Sequence, residues 1–237
     1  MRCSGRQGEP LPLPELERTY RAYAEDPRKR RKWAADNPGN AAIRAELLGA
    51  LLELGAGRGG EVLDVGCGTG WLLEALAQEG TEPSRLHGVE ALAARAAAAA
   101  RRVPGARVRT ADARKLPFED DRFELVAMVT VLSSMPGEDA VAAALREARR
   151  VASPTGVVLI YEPRLPNPLN RNTRTISRRE LERELGPAVA ERALTGLPPL
   201  ARRLGGATPR LYPLLARVAP THRLTAHAGT GAPRRRG

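Results

Sequence analysis

Glu61-Val-Leu-Asp-Val-Gly-Cys-Gly-Thr-Gly70 decides the fold. Val62 to Val65 is an apolar run of strand length, glycines follow at 66, 68 and 70, and Trp71 to Glu79 has helical spacing. Glycine lets a chain turn sharply from strand into helix and lets a ligand approach the backbone. In an open α/β sheet the first such turn lies at the carboxyl edge of the strands, where ligands bind at the switch in strand order. The glycine pattern alone also suits nucleotide-binding folds. Asp64 narrows it, because an anion before the turn repels a pyrophosphate and suits a ligand bearing positive charge.

Outward from that stretch the chain alternates. A second strand at Arg85–Val89 precedes an Ala-rich helix, Ala91–Arg102, and a third strand spans Ala106–Thr110. Phe123–Val129, a helix over Asp139–Val151, the turn Ser153-Pro-Thr-Gly156 and a strand to Tyr161 complete the rhythm. Short apolar strands alternating with helices predict a parallel sheet covered on both faces. The fold class is therefore α/β, doubly wound and mainly parallel, with seven strands. Upstream, Asn40 is a candidate N-cap for a helix carrying Ile43, Leu47, Leu48, Leu51 and Leu54. Downstream, Ser177 and Glu180 have capping-box spacing. Val189–Thr195, Leu200–Leu204, Leu211–Val218 and His222–His227 then read as strand, helix, helix and strand. The predicted organisation is an N-terminal extension and helical lid at 1–40, a ligand-binding domain at 41–228 with a substrate-side insertion near 163–185, and a disordered basic tail at 229–237.

The net charge of +11 invites a nucleic-acid partner, but its distribution argues against one. Residues 61–163 hold more acids than bases, whereas 192–237 hold nine Arg and no acid. Aromatics are only 3%, so bases would find few stacking platforms. Composition and charge thus point away from nucleic acid as substrate. No apolar run reaches the ~20 residues of a membrane span, and the polar N-terminus lacks a signal-like apolar stretch, so the expected location is cytoplasmic. Two cysteines, Cys3 and Cys67, make no disulfide framework, and no metal-ligand cluster is evident.

Glu90 ends the second strand, Ala111-Asp112-Ala113 follows the third with Leu116-Pro117-Phe118 close behind, and Leu145-Arg-Glu-Ala-Arg-Arg-Val-Ala-Ser-Pro-Thr-Gly156 leads into the fifth. This ordered set resembles the class I S-adenosylmethionine (SAM)-dependent methyltransferases of the small-molecule, type 11-like branch, over about residues 40–162. The resemblance implies a Rossmann-like fold, SAM as cofactor and S-adenosylhomocysteine as product. It implies that Gly66, Cys67, Gly68 and Gly70 wrap the methionyl part and the sugar, with Asp64 near the ammonium. Glu90, beside Ala91, would accept from both ribose hydroxyls. Asp112 would receive the adenine amino group with the Ala113 amide on a ring nitrogen, and Thr130 would offer its carbonyl to the ammonium. Leu92 and Leu132 either pack on the adenine or belong to the core.

Outside that core, Tyr20, Tyr23, Trp33, Ser133 and the Asn167, Asn170, Arg174 series resemble bacterial methyltransferases encoded among glycan and natural-product assembly genes. Tyr20, Tyr23 and Trp33 would form a lid or pack on the core. Ser133, Asn167, Asn170 and Arg174 are candidate acceptor contacts. Transfer to a hydroxyl gains from a base. Glu162, just past the fifth strand, and His222, in the last, are the candidates, with a cap or Arg partner as the alternative for Glu162. His87 lies inside a strand and reads as core. The expected reaction is methyl transfer to a hydroxyl of a small molecule, such as a sugar or glycosylated natural product, by a monomer or homodimer. The alternatives are N-methylation of an amine and SAM binding without turnover.

Overall fold

The computed structural model describes residues 17–18, 21–22, 25–27, 31, 34, 36–55, 59–165 and 174–229. Helix α1 (Pro38–Glu53) is capped by Asn37, whose side chain accepts from the amides of Gly39 and Asn40. Asn40, expected as the cap, instead lies inside the first turn and is buried. Pro38 explains the shift, because its missing N–H and fixed φ suit the first helical position.

The chain then runs β1 (Val62–Val65), α2 (Trp71–Gln78), β2 (Leu86–Glu90), α3 (Ala93–Arg102), β3 (Arg107–Thr110), β4 (Phe123–Val129), α4 (Gly137–Val151) and β5 (Ala152–Pro163). It closes with α5 (Arg178–Leu185), β6 (Ala188–Gly196), the short α6 (Pro198–Ala201), α7 (Thr208–Val218) and β7 (Pro220–Ala228). The seven strands lie in the order β3-β2-β1-β4-β5-β7-β6, and β7 alone runs opposite in direction to the other six. The predicted turn at Ser153–Gly156 is drawn into β5, where a register shift opposite Phe123 and Leu125 absorbs it. Ser177 and Glu180 form both halves of a capping box on α5.

Both faces of the sheet are covered. Leu63, Val65, Val126, Met128 and Ile160 meet Val141, Leu145 and Leu181 of α4 and α5. On the other face Val62, Leu125, Leu159 and Leu224 meet Leu47, Leu51, Leu72 and Leu76 of α1 and α2. Each fully buried apolar side chain contributes roughly 1.5–3 kcal/mol relative to exposure. Strands buried on both faces lose the period-two pattern, which is why Val62–Val65 is buried at all four positions. This packing fixes the carboxyl ends of β1, β2, β4 and β5 along one edge, with the start of β7 among them.

Candidate functional site

The glycine turn sits at the switch in strand order, between β1's neighbours β2 and β4. The amides of Gly66 and Cys67 donate to the Val89 carbonyl at 2.7 and 3.0 Å, which pins the turn to the end of β2. Gly66, Gly68 and Gly70 all have left-handed φ, and Gly70 leads directly into α2. A Cβ on Gly66 would come within 2.5 Å of Val131, so a side chain there is excluded by space as well as by backbone. Cys67 is a buried free thiol whose pKa is pushed up by burial and by the fields of Asp64 and Glu90.

Two carboxylates flank this turn. Asp64 is buried, it has no hydrogen bond among the described residues, and its oxygens are not wholly shut from solvent. Burial first, and the nearby Glu90 charge second, push its pKa up to about 8. Glu90 is also buried, but it is held: one oxygen accepts from the Leu92 amide at 3.1 Å, the other from the Gly68 amide at 3.0 Å and Arg95 Nε at 3.3 Å. The two acids thus put negative charge beside the glycine turn, with Glu90 held by Leu92, Gly68 and Arg95. Asp112 is half-exposed and takes the Arg114 guanidinium and amide, which hold its carboxyl below the usual range. Ala91 and Ala113 lie next to these acids, partly buried. Leu92 and Leu132 are both buried, and Leu132 sits wholly within the core. Thr130 is exposed with φ 54°, a left-handed conformation that costs a β-branched residue energy, and its amide donates to the Tyr161 carbonyl at 2.8 Å.

The acceptor-side candidates fare differently. Glu162 is enclosed, and its oxygens accept from the amides of Leu132 at 2.7 Å and Ser133 at 3.3 Å. It therefore caps the turn after β4, the alternative to a base that its place in the sequence left open. Burial pushes its pKa up to about 7 against the pull of those donors. Ser133 is buried, and its carbonyl accepts from the Arg174 amide at 3.0 Å. The Arg174 guanidinium pairs through one terminal nitrogen with Glu180 at 2.8 Å, while its buried Nε has no hydrogen-bond partner among the described residues. Tyr20, Tyr23, Trp33, Asn167 and Asn170 lie outside the described residues. His87 is core, hydrogen-bonded to Glu61 at 2.9 Å and edge-on to Phe118 and Phe123.

His222 reaches the carboxyl edge, opposite Pro163 in the β5–β7 register, and its ring stacks on Tyr161. Its Nδ1 lies 2.9 Å from Thr221 Oγ1, which donates to the Thr195 carbonyl at 2.8 Å. The hydroxyl has one proton, so both contacts are satisfied only when Nδ1 carries the imidazole N–H. Nε2 then holds a free lone pair. Burial and Arg202 lower the His222 pKa to about 4, which keeps the ring neutral.

Around it stands a polar cluster that the sequence reading missed. Tyr161 Oη bonds Thr195 Oγ1, and Glu46 accepts from Tyr212 Oη at 2.6 Å and from the Thr195 amide at 2.9 Å. Arg202 Nε donates to Asn40 Oδ1 at 2.7 Å. Thr195 itself has φ 64°. One signal was present: Glu46 interrupts the apolar face of α1 at helical spacing between Ile43 and Ala50.

Residues 62–156 match the family described as Methyltransferase domain. Curated C-methyltransferases UbiE of ubiquinone/menaquinone biosynthesis, for example from Burkholderia thailandensis, are 34% identical over 108 residues. That alignment covers 44% of this chain and 43% of the relative, so the chain spans less than half the length of the curated relatives it matches. Among solved structures, N-methyltransferase NodS from Bradyrhizobium japonicum, in complex with S-adenosylhomocysteine, is similar with TM-score 0.64 and 17% identity over 90% of this chain and 97% of that one. PH0226 protein from Pyrococcus horikoshii gives 0.62 and 20% over 88% and 98%. Geranyl diphosphate C-methyltransferase from Streptomyces coelicolor gives 0.58 and 19% over 88% and 85%. At these identities the structural likenesses show the fold.

Proposed function

We propose that this chain, a class I SAM-dependent methyltransferase by its matched domain and strand order, binds SAM at the glycine turn and methylates a hydroxyl of a small molecule. The observation that carries the reading is the buried pair Asp64 and Glu90 at the switch point, Asp64 with no hydrogen bond among the described residues. A cofactor with ammonium and sulfonium charges answers Asp64, and its ribose hydroxyls answer Glu90. SAM would supply an electrophilic methyl group whose sulfur departs as a neutral thioether.

The chain's own residues do the remaining work. Asp64 and Glu90 orient the cofactor from the closed side of the turn, and the strained Thr130 presents its backbone from β4. His222 Nε2 receives the proton of the acceptor hydroxyl as the carbon–oxygen bond forms, and the Thr221–Thr195 contacts keep that nitrogen unprotonated beforehand. In-line placement of the acceptor supplies much of the acceleration. The catalytic unit of this proposal takes in helix α1 from its Asn37 cap and runs to residue 228.

Calorimetric titration with SAM and S-adenosylhomocysteine tests the cofactor site. Micromolar binding that Glu90→Ala weakens at least tenfold is expected, and no binding by folded protein would sink the proposal. A panel of hydroxyl, amine and carbon acceptors then tests the chemistry. Turnover that His222→Asn leaves unchanged would shift the acceptor to an amine, which needs no base once neutral.

A further inference from the structure

Between β6 and β7 the chain makes an excursion, Leu197 to Ala219, that leaves and returns at one point: Gly196 pairs with Pro220, and the Leu197 amide donates to the Ala219 carbonyl at 3.4 Å. One face of α7 turns inward, carrying Tyr212 to Glu46. The other turns outward and is apolar. Leu211, Leu214 and Val218 are 47%, 62% and 72% exposed at spacings of three and four, so they form a single stripe. Leu197 and Leu200 of the adjoining α6 region are exposed as well.

A soluble surface seldom groups large apolar side chains in this way, and contiguous patches mark interaction sites. The charge around the stripe says which partner. Arg203, Arg210 and Arg217 are exposed beside it, and from residue 192 to the end the sequence has no acid at all. A helix with Leu and Val on its outer face and arginines at the flanks suits the headgroup boundary of an anionic bilayer, where apolar burial and electrostatic attraction add.

We propose that the α6–α7 excursion docks this protein on anionic membrane surfaces, with Leu211, Leu214 and Val218 inserted at the headgroup level and the arginines on the phosphates. No described helix is long and apolar enough to cross a membrane, so the contact is peripheral. Docking would place the bilayer about one helix diameter, ~10 Å, from the Tyr161–His222 cluster on the far side of α7. The inference stands apart from the methyl-transfer reading, because vesicle binding requires neither cofactor nor acceptor.

The test is co-sedimentation of the full chain with vesicles of phosphatidylglycerol mixed equally with phosphatidylcholine, and with phosphatidylcholine alone. Partition onto the anionic vesicles, at least about tenfold weaker on the neutral ones and weakened by salt, is expected. Leu211→Asp with Leu214→Asp should abolish it. Arg210→Glu should weaken it about fivefold or more, the factor one arginine contributes near such a surface. These side chains are exposed, so thermal unfolding should be unchanged. Equal binding to both compositions, binding untouched by the substitutions, or no binding would overturn the proposal. So would a lipid-free dimer that Leu214→Asp splits, which would make a second copy the occupant.

Discussion

Asp64→Asn should stabilise the cofactor-free protein while damaging its cofactor site, and the stabilisation should grow with pH. Asp64 is buried without a donor among the described residues, and its pKa rises from an ordinary 3.8 to about 8. Between those values the folded chain holds a proton that the unfolded chain has lost, so rising pH favours unfolding. The slope for one such proton is about 1.4 kcal/mol per pH unit. Accumulated to pH 7, it reaches about 4 kcal/mol at most, which local relaxation reduces. Even about 1 kcal/mol moves Tm by about 2–4 °C in a chain of this size. Asparagine keeps the shape and removes the titration. The assay is thermal unfolding of both proteins from pH 5 to pH 8 without cofactor, read as the difference in Tm, which isolates this residue from Glu162. That difference should be small at pH 5 and widen toward pH 8. In parallel, SAM affinity should rise with pH for wild type, because the bound ammonium favours the ionised carboxylate, and should be weak and flat in the variant. A variant less stable than wild type by the same amount at every pH would refute the reasoning, since Asp64 would then be an ionised, satisfied structural group.

Glu61 is the opposite case: Arg122 at 2.7 Å and His87 at 2.9 Å draw its pKa down to about 2. Its contribution is present above the ordinary carboxylate range and lost as pH falls toward 2, so Glu61→Gln should cost about 1–2 kcal/mol at pH 7 in denaturant titration and progressively less in acid. Cys67 should resist thiol reagents in the native protein and be slowed further by S-adenosylhomocysteine, measured in a Cys3→Ser background; rapid native labelling would contradict its burial. Thr221→Val removes the acceptor that holds His222 Nδ1–H. Nitrogen chemical shifts should then show mixed tautomers, and kcat should fall several-fold with KM little changed. An unmoved tautomer with the same rate loss would reduce Thr221 to a packing role.

The glycine turn and its flanking acids were written locally, and the sequence by itself determined them. A strand run, three glycines with left-handed φ and an acid at each neighbouring strand end are short-range features, so Asp64, Gly66, Gly68 and Glu90 could be placed before any coordinates. Strand–helix alternation likewise pointed to the parallel sheet, because helices that follow each strand cover both faces of such a sheet. The surroundings of the two candidate bases were decided by tertiary structure. Glu162 and His222 are both candidate bases in sequence, yet one is enclosed by the amides of Leu132 and Ser133 and the other emerges beside Tyr161 with its tautomer set by Thr221. Glu46, Thr195, Tyr212 and Arg202 meet only because β7 returns antiparallel and α7 folds back over α1. Contacts between residues some 150 positions apart leave no periodicity to read, so only the packed molecule shows which polar groups face one another.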